Sequence, residues 1–253
     1  MTKKFLIIIV ASILVAGCSS SKNTANMSPK EHLDYAMQLY NQEDYQDALT
    51  EFQTLVLQYP GDAIADDAEY YLGMSQFKRE QYILAAYEFS KLIKNMPASD
   101  YVPKAQFMLA DCYYELSPNY TLDQQYTTKA IQEFQAFIDF YPTNKQVHDA
   151  ETKIQELNDK LAHKEFHSGE IYERMDYYDA ALIYYDNVID TYHDTKYAAM
   201  AAYNKIQVLM EMKRTGDALT EVDEFLDKYP NNENVQQVRK LKVSLENKLS
   251  SSE

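Results

Sequence analysis

GMSQFKREQYILAAYEFSKLIKNMP, residues 73–97, decides the reading of this chain. Ala85 follows Gly73 by twelve residues, Phe89 follows Ala85 by four, and Pro97 closes the stretch. Small residues at Gly73 and Ala85 let two helices approach closely. An aromatic one turn after the second small residue fills the gap between them, and Pro stops the second helix. Working outward, the same phase returns four more times. Ala48, Ala130, Ala181 and Ala218 take the place of Ala85, and Phe52, Phe134, Tyr185 and Val222 take that of Phe89. Pro60, Pro142, His193 and Pro230 take that of Pro97, while Ala36, Gly169 and Ile206 take that of Gly73. Ala110 joins the last set if eight extra residues are admitted around Ser117-Pro118-Asn119.

A helical hairpin cannot bury its own apolar face, so hairpins of this kind stack on one another into a solenoid. The spacing predicts an all-α chain. Helix pairs are expected over 30–41 with 45–58, 62–78 with 82–95, 101–115 with 124–140, 146–175 with 178–191, and 196–212 with 215–229, with a last helix over 232–249. The fourth pair is irregular because Asn144 to Leu161 adds helical sequence before Gly169. A long helix should therefore join N-terminal repeats 1–3 (29–142) to C-terminal repeats 4–5 (143–230), with a C-terminal helix and tail over 231–253. The pattern resembles the tetratricopeptide repeat. That resemblance implies a right-handed superhelical solenoid of about five helical hairpins plus the C-terminal helix.

The N-terminus carries a different signal. Lys3-Lys4 precede an apolar run from Phe5 to Ala16, too short to span a bilayer, which has the layout of a secretory signal peptide over 1–17. Its end, Leu14-Val15-Ala16-Gly17-Cys18, resembles the lipobox of bacterial lipoproteins. The resemblance implies lipid attachment at Cys18, palmitate among its acyl chains, and a mature protein beginning there. Ser19-Ser20-Ser21-Lys22-Asn23-Thr24 has no apolar period, so 18–28 reads as a flexible tether. Ser19, where inner-membrane lipoproteins commonly carry Asp, points to the outer membrane.

Composition narrows the partners. The formal net charge is −15, and loss of Lys3 and Lys4 with the leader makes it more negative. Such a surface disfavours nucleic acid and anionic lipid, and leaves basic or apolar protein surfaces. Only Cys112 remains besides Cys18, so there is no disulfide framework, and its apolar helical surroundings make it a core residue. There is no Gly-rich phosphate loop, Gly-x-Ser-x-Gly elbow or Cys-x-x-Cys pair, so neither an enzyme nor a cofactor is indicated. His163, His167 and Glu170 have a spacing that can present metal ligands, yet a solvated helix face explains them better.

Solenoids bind along the groove lined by the first helix of each pair. Counted from the small residues, the groove positions are Leu33, Tyr70 and Phe107, then Met37, Met74 and Asp111, then Tyr40, Phe77 and Tyr114. Two readings stay open. The ladder can hold an extended segment, or it can pack against the neighbouring hairpin. The second draws weight from His32, Glu69 and Gln106, polar residues where the repeat usually places a core aromatic.

The order of these features resembles the BamD family of outer-membrane assembly lipoproteins. The likeness is carried by the lipobox, five repeats, the insertion in the third and the long helix of the fourth. It also includes Ile93-Lys94-Asn95-Met96-Pro97 and Leu161-Ala162-His163-Lys164-Glu165-Phe166. The resemblance implies a non-enzymatic lipoprotein, anchored in the outer membrane and facing the periplasm. Its N-terminal repeats would receive unfolded outer-membrane protein precursors. Its C-terminal repeats would dock on the POTRA-bearing barrel protein, with accessory lipoproteins as further partners. On this view Tyr70→Ala with Phe77→Ala should weaken precursor binding and leave folding intact. The competing class is a repeat lipoprotein that scaffolds Tol or peptidoglycan-remodelling proteins.

Overall fold

A computed structural model describes residues 24–251. Eleven helices and no strand occur among them: α1 (Pro29–Asn41), α2 (Tyr45–Gln58), α3 (Ala65–Lys78), α4 (Tyr82–Asn95), α5 (Val102–Leu116), α6 (Gln125–Phe140), α7 (Val147–Arg174), α8 (Tyr178–Thr191), α9 (Lys196–Glu211), α10 (Thr215–Lys228) and α11 (Val235–Ser250). Each packs chiefly on the helix before it and the helix after it, the arrangement of a helical repeat solenoid. The long helix is α7, as the irregular fourth pair predicts.

Local chemistry sets the ends. Ser28 caps α1 in a reciprocal box: its hydroxyl accepts from the Glu31 amide at 3.3 Å, and the Glu31 carboxylate accepts from the Ser28 amide at 2.9 Å. Inside four of the five hairpins the turn is the same. Glu43, Glu80, Asp176 and Lys213 adopt left-handed φ values between 59° and 66°. The next amide in each turn donates back to the carbonyl five residues earlier, as from Asp44 to Leu39 and from Gln81 to Gln76. Between hairpins, Pro60, Pro97, Pro142 and Pro230 follow the second helices, and a short polar side chain then braces each turn. Asp62, Ser99, Asn144 and Asn232 accept from backbone amides two residues on, at 2.9–3.2 Å.

Small and aromatic residues meet as the spacing predicts. Gly73 faces Phe89 and Gly169 faces Tyr185. Phe52, Phe89 and Phe134 are fully buried, each a site where truncation to Ala costs about 3–5 kcal/mol. The buried side chains form four clusters along the stack. Helix α7 serves two of them: Ala150 and Leu157 complete the cluster around Phe107 and Phe134, and Phe166 enters the cluster around Tyr185, Ile206 and Phe225.

Candidate functional site

The first helices of the hairpins do not present the ladder uniformly to solvent. Leu33, Tyr70 and Phe107 are core residues. Tyr70 is 9% exposed and stacks on Tyr101 with ring centroids 4.5 Å apart, against Phe89 at 5.8 Å. Phe107 sits edge-on to Phe134 at 5.5 Å and to Phe137 at 5.4 Å. Leu33 and Tyr70 are therefore corrected from groove to interhelical packing, while Phe107 packs between helices and still lines an open cavity. Removing Tyr70 would open the core, so Tyr70→Ala with Phe77→Ala does not isolate binding from folding. Met37, Tyr40, Met74, Phe77 and Tyr114 are half-buried and keep part of their surface. Tyr40 meets Tyr71 of the next hairpin at 5.2 Å, and Phe77 meets Tyr82 at 5.2 Å.

Beside these core residues lie three buried polar pairs, whose partners the sequence pattern does not reveal. His32 is 2% exposed, and its Nε2 lies 2.6 Å from the Glu51 carboxylate of α2. Glu69 is 1% exposed, with the Lys91 ammonium of α4 at 2.8 Å. The side chain of Gln106 donates to the Glu133 carboxylate of α6 at 2.8 Å. Each polar residue stands where the repeat usually places a core aromatic and is paired with the second helix of its own hairpin. The adjoining ladder residues Leu33, Tyr70 and Phe107 are buried beside these pairs.

One open cavity of about 420 Å³ does line up with the expected groove. It lies between α5 and α7 and is bounded by Phe107, Tyr114, Asp149, Lys153 and Glu156. Lys153 pairs with Asp111, the one charged rung of the ladder, and sits over the Tyr114 ring at 4.0 Å. The Tyr114 hydroxyl donates to Glu156. Aromatic floor and paired charges together suit an extended segment with both apolar and polar groups.

The C-terminal hairpins offer a second kind of surface. Met175, Tyr177 and Ile183 are exposed by 56%, 58% and 69%. A cavity of about 520 Å³ opens beside them, lined by Tyr172, Asp176, Tyr177, Tyr178 and Met212. Lys205 of α9 ties this region together through Asp186 of α8 at 2.6 Å and Glu221 of α10 at 2.5 Å.

Residues 25–215 match the family described as YfiO, outer membrane lipoprotein. The chain belongs to that family. Relatives of this YfiO-family chain bear the name BamD. The outer membrane protein assembly factor BamD of Rickettsia prowazekii is 28% identical over 91% of this chain and 93% of its own length. The putative factor of Aquifex aeolicus is 24% identical over 89% of this chain and 78% of its own. A tetratricopeptide-repeat protein of Bacteroides fragilis is 14% identical, with a TM-score of 0.45 over 87% of this chain and 99% of that one.

In this YfiO-family chain, Cys18 lies outside the described residues. Among the described residues no helix is long and apolar enough to cross a membrane. His163, His167 and Glu170 do not converge as ligands. His163 is stacked between two tyrosines, while His167 Nδ1 lies 3.2 Å from the Glu170 carboxylate. Cys112 is wholly buried, and burial raises its thiol pKa well above the ordinary value.

Proposed function

We propose that this chain is a non-enzymatic, lipid-anchored outer-membrane protein assembly factor. The observation that carries the reading is the two-way coverage of the Rickettsia relative, 91% of this chain against 93% of that protein. The likeness therefore extends over a whole architecture rather than one repeat. Lipid on Cys18 would hold the protein at the periplasmic face of the outer membrane, with the solenoid reaching away on the 18–28 tether. The surface carrying Met37, Tyr40, Met74, Phe77 and Tyr114 would receive extended segments of unfolded precursors. Flexible thioethers and amphipathic tyrosines suit a varied set of such segments. The C-terminal repeats would dock on the POTRA-bearing barrel protein, with Met175, Tyr177 and Ile183 supplying apolar contact. Accessory lipoproteins would complete the assembly.

The test is capture through a C-terminal tag after gentle detergent extraction, followed by mass spectrometry. A POTRA-bearing barrel in near-equal amount is the expected result. Tol proteins or a peptidoglycan hydrolase in its place would overturn the reading. For the groove, Met74→Ala with Phe77→Ala should weaken binding of a precursor peptide about tenfold while far-UV circular dichroism stays unchanged. Equal affinity in the folded variant would remove the groove from the reading.

A further inference from the structure

The turn inside the fourth hairpin gathers aromatic rings and carboxylates around one opening. Helix α7 ends at Arg174, Asp176 takes the left-handed conformation at φ 61°, and the Tyr177 amide donates back to the Tyr172 carbonyl at 2.9 Å. That reversal brings Tyr172, Tyr177 and Tyr178 to one cavity of about 520 Å³, together with Met212 of the next hairpin. Two carboxylates line it as well, Asp176 and Asp179. The Tyr178 hydroxyl donates to Asp176 at 3.0 Å. Tyr172 is fixed by stacking on Tyr184, with ring centroids 5.2 Å apart and planes 15° from parallel.

The charges around this opening are one-sided. Among the described residues no Lys, Arg or His lines it, and Asp176 and Asp179 form no ion pair. The Tyr178 hydroxyl registers the excess. Its pKa is raised above the ordinary value, first by the hydrogen bond to Asp176, then by desolvation, then by the charges of Asp176, Glu211 and Glu173. A second cavity, of about 480 Å³, shares Asp179 and continues over Leu182, Ile183 and Leu209. Its two cations are already committed, Lys205 to Asp186 and Glu221, and Arg214 to Asp217. Five carboxylates and two cations line the two cavities together, so a surplus of negative charge remains beside an apolar floor.

Tyrosine faces attract cations through the ring quadrupole, and a guanidinium can lie flat on such a face while its N–H groups reach carboxylates. An anionic group of a partner would meet Asp176 and Asp179 and be repelled. An apolar side chain seated alone would shut both carboxylates away from water without a partner. We propose that this cavity is a socket for an arginine or lysine side chain of the protein that docks on the C-terminal repeats, with an apolar residue beside that cation resting on Ile183. The inference rests on the docking role proposed above and adds the chemistry of the docking element. Charge pairing at such a rim steers encounter and fixes register, so the interface weakens as salt rises.

Binding of the mature chain to the purified POTRA domains of the barrel protein, at about 50 mM and about 300 mM salt, tests this. Asp176→Asn with Asp179→Asn should weaken binding about tenfold at the lower salt and flatten the salt dependence, with far-UV circular dichroism unchanged. Asparagine tolerates the left-handed conformation at position 176, so the turn is kept. Tyr177→Phe should bind as the wild type does, and Tyr177→Leu several-fold more weakly. Asp190→Asn with Asp227→Asn removes the same charge from exposed sites near the C-terminal ends of α8 and α10, and should leave affinity within about twofold. Unchanged affinity in the Asp176 and Asp179 variant, or an equal loss in the Asp190 and Asp227 control, would overturn the socket and leave docking intact. A wild type that does not bind the POTRA domains at all would overturn docking and the socket together.

Discussion

The ring of Tyr185 lies against the Cα of Gly169, so close that a methyl group placed there would come within 2.6 Å of a ring carbon. Gly73 and Phe89 repeat the relationship at 2.8 Å. The repeat is built on this contact, and both rings are fully buried with nowhere to retreat.

Gly73→Ala therefore sets overpacking of about 1–3 kcal/mol against a helix-propensity gain of about 1 kcal/mol, and should destabilise the protein. Gly216, with nothing within 4 Å of its would-be Cβ, supplies the control. Gly216→Ala should stabilise by about 0.5–1 kcal/mol. Urea midpoints of the two variants should move in opposite directions. Pairing Gly73→Ala with Phe89→Leu should cost less than the sum of the single changes.

The buried carboxylate of Glu69 makes stability depend on pH. Burial is the largest cause of its raised value. The Lys91 hydrogen bond opposes it, Glu88 adds to it, and the pKa is pushed up to about 7. Lys91 is partly exposed and stays charged, so the desolvation cost falls on the carboxylate. An acid whose folded pKa is raised binds more protons in the folded state. Its stabilisation is full below about pH 4.5 and is lost as pH rises through about 7. Relative to Glu69→Gln, the wild type should lose about 2–3 kcal/mol between these limits, as read from urea titrations at several pH values.

Cys112 should be inert in the folded chain. It is wholly buried, and its thiol is held in the protonated form by burial first and by the neighbouring Asp111 charge second. A disulfide reagent at mildly alkaline pH should modify it no faster than the protein unfolds, and at once in concentrated urea. Rapid labelling of the native protein would mean that α5 opens locally.

The left-handed turns carry removable strain. Glu80 has φ 60° and is exposed, so its side chain contributes little packing there. Glu80→Gly should relieve about 1 kcal/mol of backbone strain, partly offset by the entropy glycine adds to the unfolded chain. A small rise in Tm is the expected outcome. A fall would show that Glu80 makes a stabilising contact in solution.

Helix order, helix register and the pairing of small with aromatic residues were legible in the one-dimensional pattern, because each depends on spacing along a helix of known pitch. The observed bounds fall within three residues of the expected ones. The inward or outward orientation of the ladder was not legible. Periodicity groups Leu33, Met37 and Tyr40 on one face without saying which helix covers it. That was decided by side chains distant in sequence: His32, Glu69 and Gln106 are buried against Glu51, Lys91 and Glu133, and Leu33, Tyr70 and Phe107 are buried beside them. The stack of Tyr120, His163 and Tyr197 is the same case. Nothing near Tyr120 in sequence announces His163 or Tyr197, since stacking depends on where the folded chain returns, and only packing across three hairpins brings those rings together.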